Sequence, residues 1–206
     1  MKSGSIGTDT DHAIEVLRNG GVIGFPTETV YGLAADASNS VAVNRIFDIK
    51  GRPRNHPLIV HLDSLAKARF WSADWSASAE ILGALFWPGP LTVIVAKALT
   101  VQHEVTGGLE TIALRVPNHA VALEVLQGLE GGVAAPSANK FGKVSPTTAE
   151  HVLADLGSEV DYILDGGPCS IGLESTIVDC SANTIQILRP GGISRELVSQ
   201  VVPVAE

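Results

Sequence analysis

The sequence predicts an α/β protein of α+β type: a single domain with a twisted sheet of mixed parallel and antiparallel strands, flanked by helices. Three observations carry this. Apolar runs of strand length are interleaved with helical patterns, which points to strands and helices packed in layers. The tail of the chain is rich in strands, which argues against a purely parallel sheet. The chain has 206 residues, 45% of them apolar and 17% charged, enough for one sizeable core without disulfide or metal support.

The elements follow in order. Residues 1–8 are small and polar and read as a flexible tail, leaving one domain over 9–206. Asp9 or Thr10 caps a first helix that buries Ile14 and Leu17 and stops at Gly20-Gly21. Residues 22–25 form a buried strand, ended by Pro26. A second helix starts near Ser40, buries Val43, Ile46 and Phe47, and ends near Lys50. A strand over 58–62 follows, then a helix over 80–86 broken by Trp87-Pro88-Gly89-Pro90. Residues 91–96 and 111–116 are strands, the second alternating at Ile112, Leu114 and Val116. A helix over 118–129 leads to a short buried strand at 133–136. Ser145 as cap and Pro146 at the first helical position open a further helix, ended by Gly157. Strands at 162–164, 175–179 and 184–188 and a helix over 194–202 close the domain.

The formal net charge of −8 is the wrong sign for a protein that coats nucleic acid, so any polyanion site must be local. Cys169 and Cys180 form no C-x-x-C pair and no cluster with histidine, which suits a reducing compartment. No apolar run approaches the roughly 20 residues that span a bilayer. The expectation is a cytoplasmic protein with no membrane contact.

Chemistry gathers in five places. Lys50, Arg52 and Arg54 lie close together around Gly51 and Pro53. They complement a helix C-terminus, or they clamp phosphate oxygens with the Arg fork and the compact Lys charge. No G-x-x-x-x-G-K-[ST] or G-x-G-x-x-G accompanies them. The turn PTETVYGL after the first strand packs Thr27, Glu28, Thr29 and Tyr31 together, at a strand end where small ligands bind in α/β folds. Ser137 and Asn139 follow a buried strand two positions apart, so extended backbone turns both to one side. Ser137 and Lys140 also match S-x-x-K, without the companion motifs of acyl-enzymes. Glu174-Ser175-Thr176 opens a strand and Arg189 closes one; a buried Arg189 needs an anionic partner from protein or ligand. His61, inside an apolar strand, should face a cleft.

Taken in order, GGVIGFPTETVYGLAADA from Gly20, IFDIKGRPRNHPLIVHL from Ile46, FWPGPLTVIV from Phe86, TIALRVP from Thr111, AAPSANKFGKVSPTTAEHV from Ala134, LESTIVD from Leu173 and ILRPGG from Ile187 resemble the YrdC-like family of threonylcarbamoyl-AMP synthases. The resemblance covers residues 10–195 and implies a twisted sheet with an open concave face. It implies that L-threonine, bicarbonate and ATP are condensed to threonylcarbamoyl-AMP and pyrophosphate, with Mg²⁺ arriving on the ATP and no protein metal site. A downstream threonylcarbamoyl-transferase complex then modifies tRNA position 37, with at most a weak tRNA contact by the synthase itself. By the resemblance, Lys50 and Arg52 are the catalytic triphosphate clamp, with His56 close by. Thr111, Asn139, Ser145 and Arg189 are further ATP contacts. Thr29, Tyr31, His61, Arg115, Ser137 and Ser175 form the threonine side. Longer members carry a second C-terminal domain on a linker, so this chain reads as a short form or as the catalytic part of a longer lineage. Three rival readings are a double-stranded RNA-binding protein of the same fold, a carbamoyl-transfer domain like that of hydrogenase-maturation proteins, and a Ser–Lys hydrolase.

Overall fold

The structure, a computed structural model, describes residues 4–205. β1 (Ser5–Gly7) precedes α1 (Thr10–Arg18), whose start is fixed by Asp9 accepting from the His12 amide. β2 (Ile23–Phe25) and β3 (Gly32–Asp36) lead to α2 (Ser40–Lys50). Asn39 caps α2 at its N-terminus, and Gly51 ends it at a φ of 63°, a left-handed conformation that glycine adopts without steric cost. β4 (Ile59–His61), α3 (Leu65–Phe70), β5 (Ser72–Asp74) and α4 (Ala77–Phe86) come next. They are followed by β6 (Leu91–Lys97), α5 (His103–Thr106), β7 (Thr111–Arg115), α6 (Ala120–Leu129) and β8 (Val133–Ala134). α7 (Ala149–Leu156), β9 (Tyr162–Leu164), β10 (Thr176–Asp179), β11 (Gln186–Arg189) and α8 (Arg195–Ser199) complete the chain.

The strands form one sheet in the order β1-β9-β2-β3-β8-β4-β7-β6-β10-β11, with β5 paired to β6. Its pairs are parallel at β1/β9, β9/β2, β4/β7 and β6/β10 and antiparallel elsewhere, the mixed sheet that the sequence predicts.

Side chains alternate between the two faces, and the faces are covered unequally. On one face α2, α3, α4, α5, α7 and α8 bury residues such as Phe47, Leu82, Val152 and Val198 against Leu33, Val60, Leu114, Val93 and Val178. This cover runs from the β9 side to β10. On the other face, among the described residues, only α1 and α6 contribute, packing Leu17, Val125 and Leu126 on Ile23, Phe25, Ala34, Val133, Tyr162 and Leu164. These belong to β2, β3, β8 and β9. Beyond them, over β4, β7, β6, β10 and β11, no helix among the described residues buries apolar side chains on this face. Phe25 marks the border, its ring centroid 6.1 Å from that of His61.

Three expectations change. Ser5–Gly7, within the expected tail, pairs in parallel with β9 as β1; residues 1–3 lie outside the described residues. The helix expected at Ser145-Pro146 opens later, where Thr148 accepts from the His151 amide and caps α7. The Ser145 hydroxyl donates to Glu174 instead, and the Pro146 carbonyl accepts from the Tyr31 amide. β3, α3, β5 and α5 lie where the sequence offered no strong pattern.

Candidate active site

One lateral row of the sheet builds the floor of the site. His61 of β4 is opposite Arg115 of β7. Leu114 is opposite Val93 in the antiparallel β7/β6 pair, so the next step sets Thr92 against Arg115. Thr92 pairs with Ile177 of β10, and Ile177 with Arg189 of β11. Laterally paired residues share a face. The row His61–Arg115–Thr92–Ile177–Arg189 therefore lies on the half of the sheet that α1 and α6 leave bare. A cavity of about 180 Å³ opens over it. Its walls are loops at the ends of elements: Thr27 and Thr29 after β2, Arg52 after α2, Ser137 after β8, and Glu174 and Ser175 before β10.

Arg115 is buried and held on three sides. Its Nε donates to the Gly89 carbonyl at 3.2 Å and its Nη1 to Thr29 Oγ1 at 2.8 Å. Its Nη2 is 2.7 Å from Oε1 of Glu28, itself buried. Burial lowers the proton affinity of this guanidinium, and Glu28 opposes that; a charge this far from water needs such a partner. His61 is buried too, with Nδ1 unpartnered among the described residues. Burial and then the neighbouring Arg115 hold its pKa down at about 3. At neutral pH His61 is therefore an uncharged imidazole that offers hydrogen bonds and no charge.

Arg189 is tied to the strand beside it: Nε donates to the Ser175 carbonyl and Nη2 to Ser175 Oγ, each at 3.0 Å, while Nη1 pairs with Glu174. Ser175 Oγ is 2.8 Å from Thr92 Oγ1. Glu174 accepts from Ser145 Oγ at 2.9 Å. Arg52 donates through Nη2 to the Pro57 carbonyl at 3.0 Å, and its Nε is buried and unpartnered among the described residues. Burial lowers the Arg52 proton affinity, and Glu174 counters it. Lys50 is buried at the end of α2, where Nζ donates to the carbonyls of Ser137 and Asn139, each at 2.5 Å. Burial first, then Arg52, bring its pKa down to about 8.

The family model Sua5_yciO_yrdC, described as Telomere recombination, matches residues 15–191. The chain belongs to this family. Over 186 residues it is 45% identical to the threonylcarbamoyl-AMP synthase of Pyrococcus abyssi, covering 90% of this chain and 55% of that protein. It is likewise 45% identical over 191 residues to the threonylcarbamoyl-AMP synthase of Bacillus subtilis, covering 92% of this chain and 55% of that one. The crystal structure of P. abyssi Sua5 complexed with L-threonine superposes with a TM-score of 0.92 at 43% identity, over 94% of this chain and 57% of that chain. The chain thus spans about half the length of these relatives. The mixed sheet flanked by helices is the Sua5/YrdC fold.

Of the residues assigned by resemblance to this family, Thr29, Arg52, His61, Arg115, Ser137, Ser175 and Arg189 all line the one cavity. Ser145 stands one hydrogen bond behind Glu174. Lys50 and Asn139 lie behind the Ser137 loop; the Asn139 amide donates to the carbonyls of Lys140 and Lys143, leaving Oδ1 unpartnered among the described residues. The irregular loop expected to carry three cations thus carries Arg52 alone to the cavity, since Lys50 ends α2 and Arg54 pairs with Asp48. His56 packs edge-on against Phe141 at 5.5 Å, outside the lining. Tyr31 is fully buried and away from the cavity wall: its phenol donates to the Gly167 carbonyl at 2.7 Å and accepts from the Gly166 amide at 3.2 Å. Thr111 begins β7 and Arg115 ends it, which separates them by about 13 Å along the strand. Thr111 is not part of the cavity lining. The two carboxylates, Glu28 and Glu174, were not among the assigned residues. The available signal was that each directly precedes an assigned hydroxyl residue, and that buried arginines require counter-charges.

Proposed function

We propose that this chain condenses L-threonine, bicarbonate and ATP to threonylcarbamoyl-AMP and pyrophosphate, the activated intermediate for threonylcarbamoyladenosine at tRNA position 37. The observation that carries this is the convergence of Arg52, Arg115 and Arg189 with the hydroxyls of Thr29, Ser137 and Ser175 on a single cavity. Its volume of about 180 Å³ is small beside the roughly 300–1,000 Å³ of drug-sized ligand sites. It suits an amino acid, with the nucleotide reaching the cavity from its open side.

In this reading the Nη1 and Nη2 hydrogens of Arg115 not spent on Thr29 and Glu28 donate to the threonine carboxylate, and neutral His61 contributes further hydrogen bonds. The amine condenses with bicarbonate and releases water, giving a carbamate. A carbamate oxygen then forms a bond to the α-phosphorus of ATP as the bond to pyrophosphate breaks. Such chemistry needs alignment and charge neutralisation, with no side-chain nucleophile. Arg52 and Arg189 supply cations to the phosphate side, and Lys50 fixes the loop between the two halves. Mg²⁺ belongs to the same proposal and neutralises phosphate oxygens when bound. Among the described residues no cluster of three or more His, Cys, Asp or Glu could hold a metal ion; in this reading the metal would be carried by the triphosphate and water. In the same reading the product passes to a separate transferase complex acting on tRNA, and the enzyme works in the cytoplasm. Among the described residues no helix is long and apolar enough to cross a membrane.

Pyrophosphate release from ATP and bicarbonate, comparing threonine with serine, tests the reading. Leu58, Ile59 and Ile177 line the cavity, and a methyl group in apolar surroundings is worth roughly 10–200-fold in kcat/KM. Threonine should be preferred by that margin, and Arg52→Ala should abolish nearly all release in a folded protein. Release that does not depend on the amino acid would refute the assignment.

A further inference from the structure

The phosphate side of the cavity contains its own anion. Glu174 is the one carboxylate among the lining residues, against three guanidiniums, Arg52, Arg115 and Arg189. Arg115 is already matched by Glu28 from below. Glu174 divides its two oxygens: Oε1 accepts from Ser145 Oγ at 2.9 Å, and Oε2 pairs with Nη1 of Arg189. Ser145 and Arg189 are two of the residues read above as nucleotide contacts. The carboxylate therefore occupies donors that phosphate oxygens would use. An Arg fork accepts carboxylate or phosphate equally well in shape, and two anions on one fork repel each other.

The backbone around Glu174 is fixed, and its side chain reaches the cavity surface. The Gly191 turn packs so closely on it that a Cβ there would stand 2.3 Å from the Glu174 carbonyl oxygen. The Gly192 amide donates to that same carbonyl at 3.3 Å. The Glu174 side chain, in contrast, is 37% exposed on the cavity wall, so it can swing toward solvent without disturbing β10.

We propose that Glu174 is a built-in phosphate surrogate. It holds Ser145 and Arg189 in place while the nucleotide site is empty, and an incoming phosphate displaces it. Glu174 thereby sets the affinity for ATP and for the departing pyrophosphate. This rests on the nucleotide reading of Ser145 and Arg189. The site stays organised between turnovers, yet it grips pyrophosphate less tightly than unopposed cations would, which favours release.

Calorimetric titration with ATP and with inorganic pyrophosphate, each with Mg²⁺ and with EDTA, tests this on the wild type and Glu174→Gln. The glutamine keeps the size of the side chain and removes its charge. Both ligands should bind the variant roughly tenfold more tightly, with or without Mg²⁺. Glu174→Ala, which frees Nη1 of Arg189 while Ser175 still holds Nε and Nη2, should shift pyrophosphate affinity in the same direction. Unchanged or weaker binding in both conditions overturns the surrogate role. Weaker binding confined to Mg²⁺ overturns it as well, by making Glu174 a metal ligand. If the wild type binds neither ATP nor pyrophosphate, the nucleotide reading itself fails, and the surrogate with it.

Discussion

Arg115 is surrounded before any ligand arrives, and that has measurable consequences. Its partners Glu28, Thr29 and the Gly89 carbonyl leave little freedom to reorient. Breaking a buried ion pair by removing one partner leaves the other charge stranded, at a cost of about 3–5 kcal/mol. Glu28→Ala should lower the unfolding free energy in urea by that amount. The double variant Glu28→Leu, Arg115→Met should recover most of it while losing threonine binding. A double variant as unstable as the single one would show that the pair is not what Glu28→Ala breaks. His61 gives a pH signature. The unfolded imidazole, near 6.5, takes up a proton that the folded one refuses until about 3. Stability should therefore fall as pH drops below about 6.5, and the contribution should be constant above it. His61→Gln should flatten the difference in urea midpoint between pH 7 and pH 5. These residues were legible in different ways. His61 betrayed itself as a polar position in an apolar strand. The Glu28–Arg115 pair was not legible, because it joins residues far apart in sequence, and only the turn after β2 brings them together.

Helices were read well where local chemistry alone decides them. α1 and α2 each have an acceptor side chain at the N-cap and a glycine just beyond the last turn. The Ser145-Pro146 start failed because a distant carboxylate claims the serine hydroxyl. β3, with the sequence GLAAD, lacks β-branched residues and exists through its pairing with β2 and β8. The end of α2 carries a further lesson. Lys50 was expected among the phosphates, and two of its donors are spent on the carbonyls of Ser137 and Asn139. Hydrogen bonds to charged groups contribute roughly 1.5–3 kcal/mol each, so α2 bolts this loop in place. Lys50→Met should speed amide exchange over residues 137–140 and raise KM for both threonine and ATP. A loss of kcat/KM with unchanged exchange would confine Lys50 to ligand contact.

The whole sheet is helix-covered on one face and half-covered on the other, and the uncovered half is the site. The sequence announced a mixed sheet, through its interleaved elements and strand-rich tail. It did not announce the strand order, which depends on pairings between distant segments, nor which face α1 and α6 would protect. β1 lies at the far edge from the row His61–Arg115–Thr92–Ile177–Arg189. Removing residues 1–8 should therefore lower stability by about 2 kcal/mol, read as a lower urea midpoint, and leave threonine affinity unchanged by calorimetry. A matching loss of affinity would mean that the edge strand communicates with the cavity. The row also acts as a ruler. From His61 to Arg189 there are four strand-to-strand steps of backbone hydrogen bonding, about 19 Å in all. Loops around the mouth can lengthen or shorten, but the spacing between the two ends is written into the ladder and can change only in whole strands.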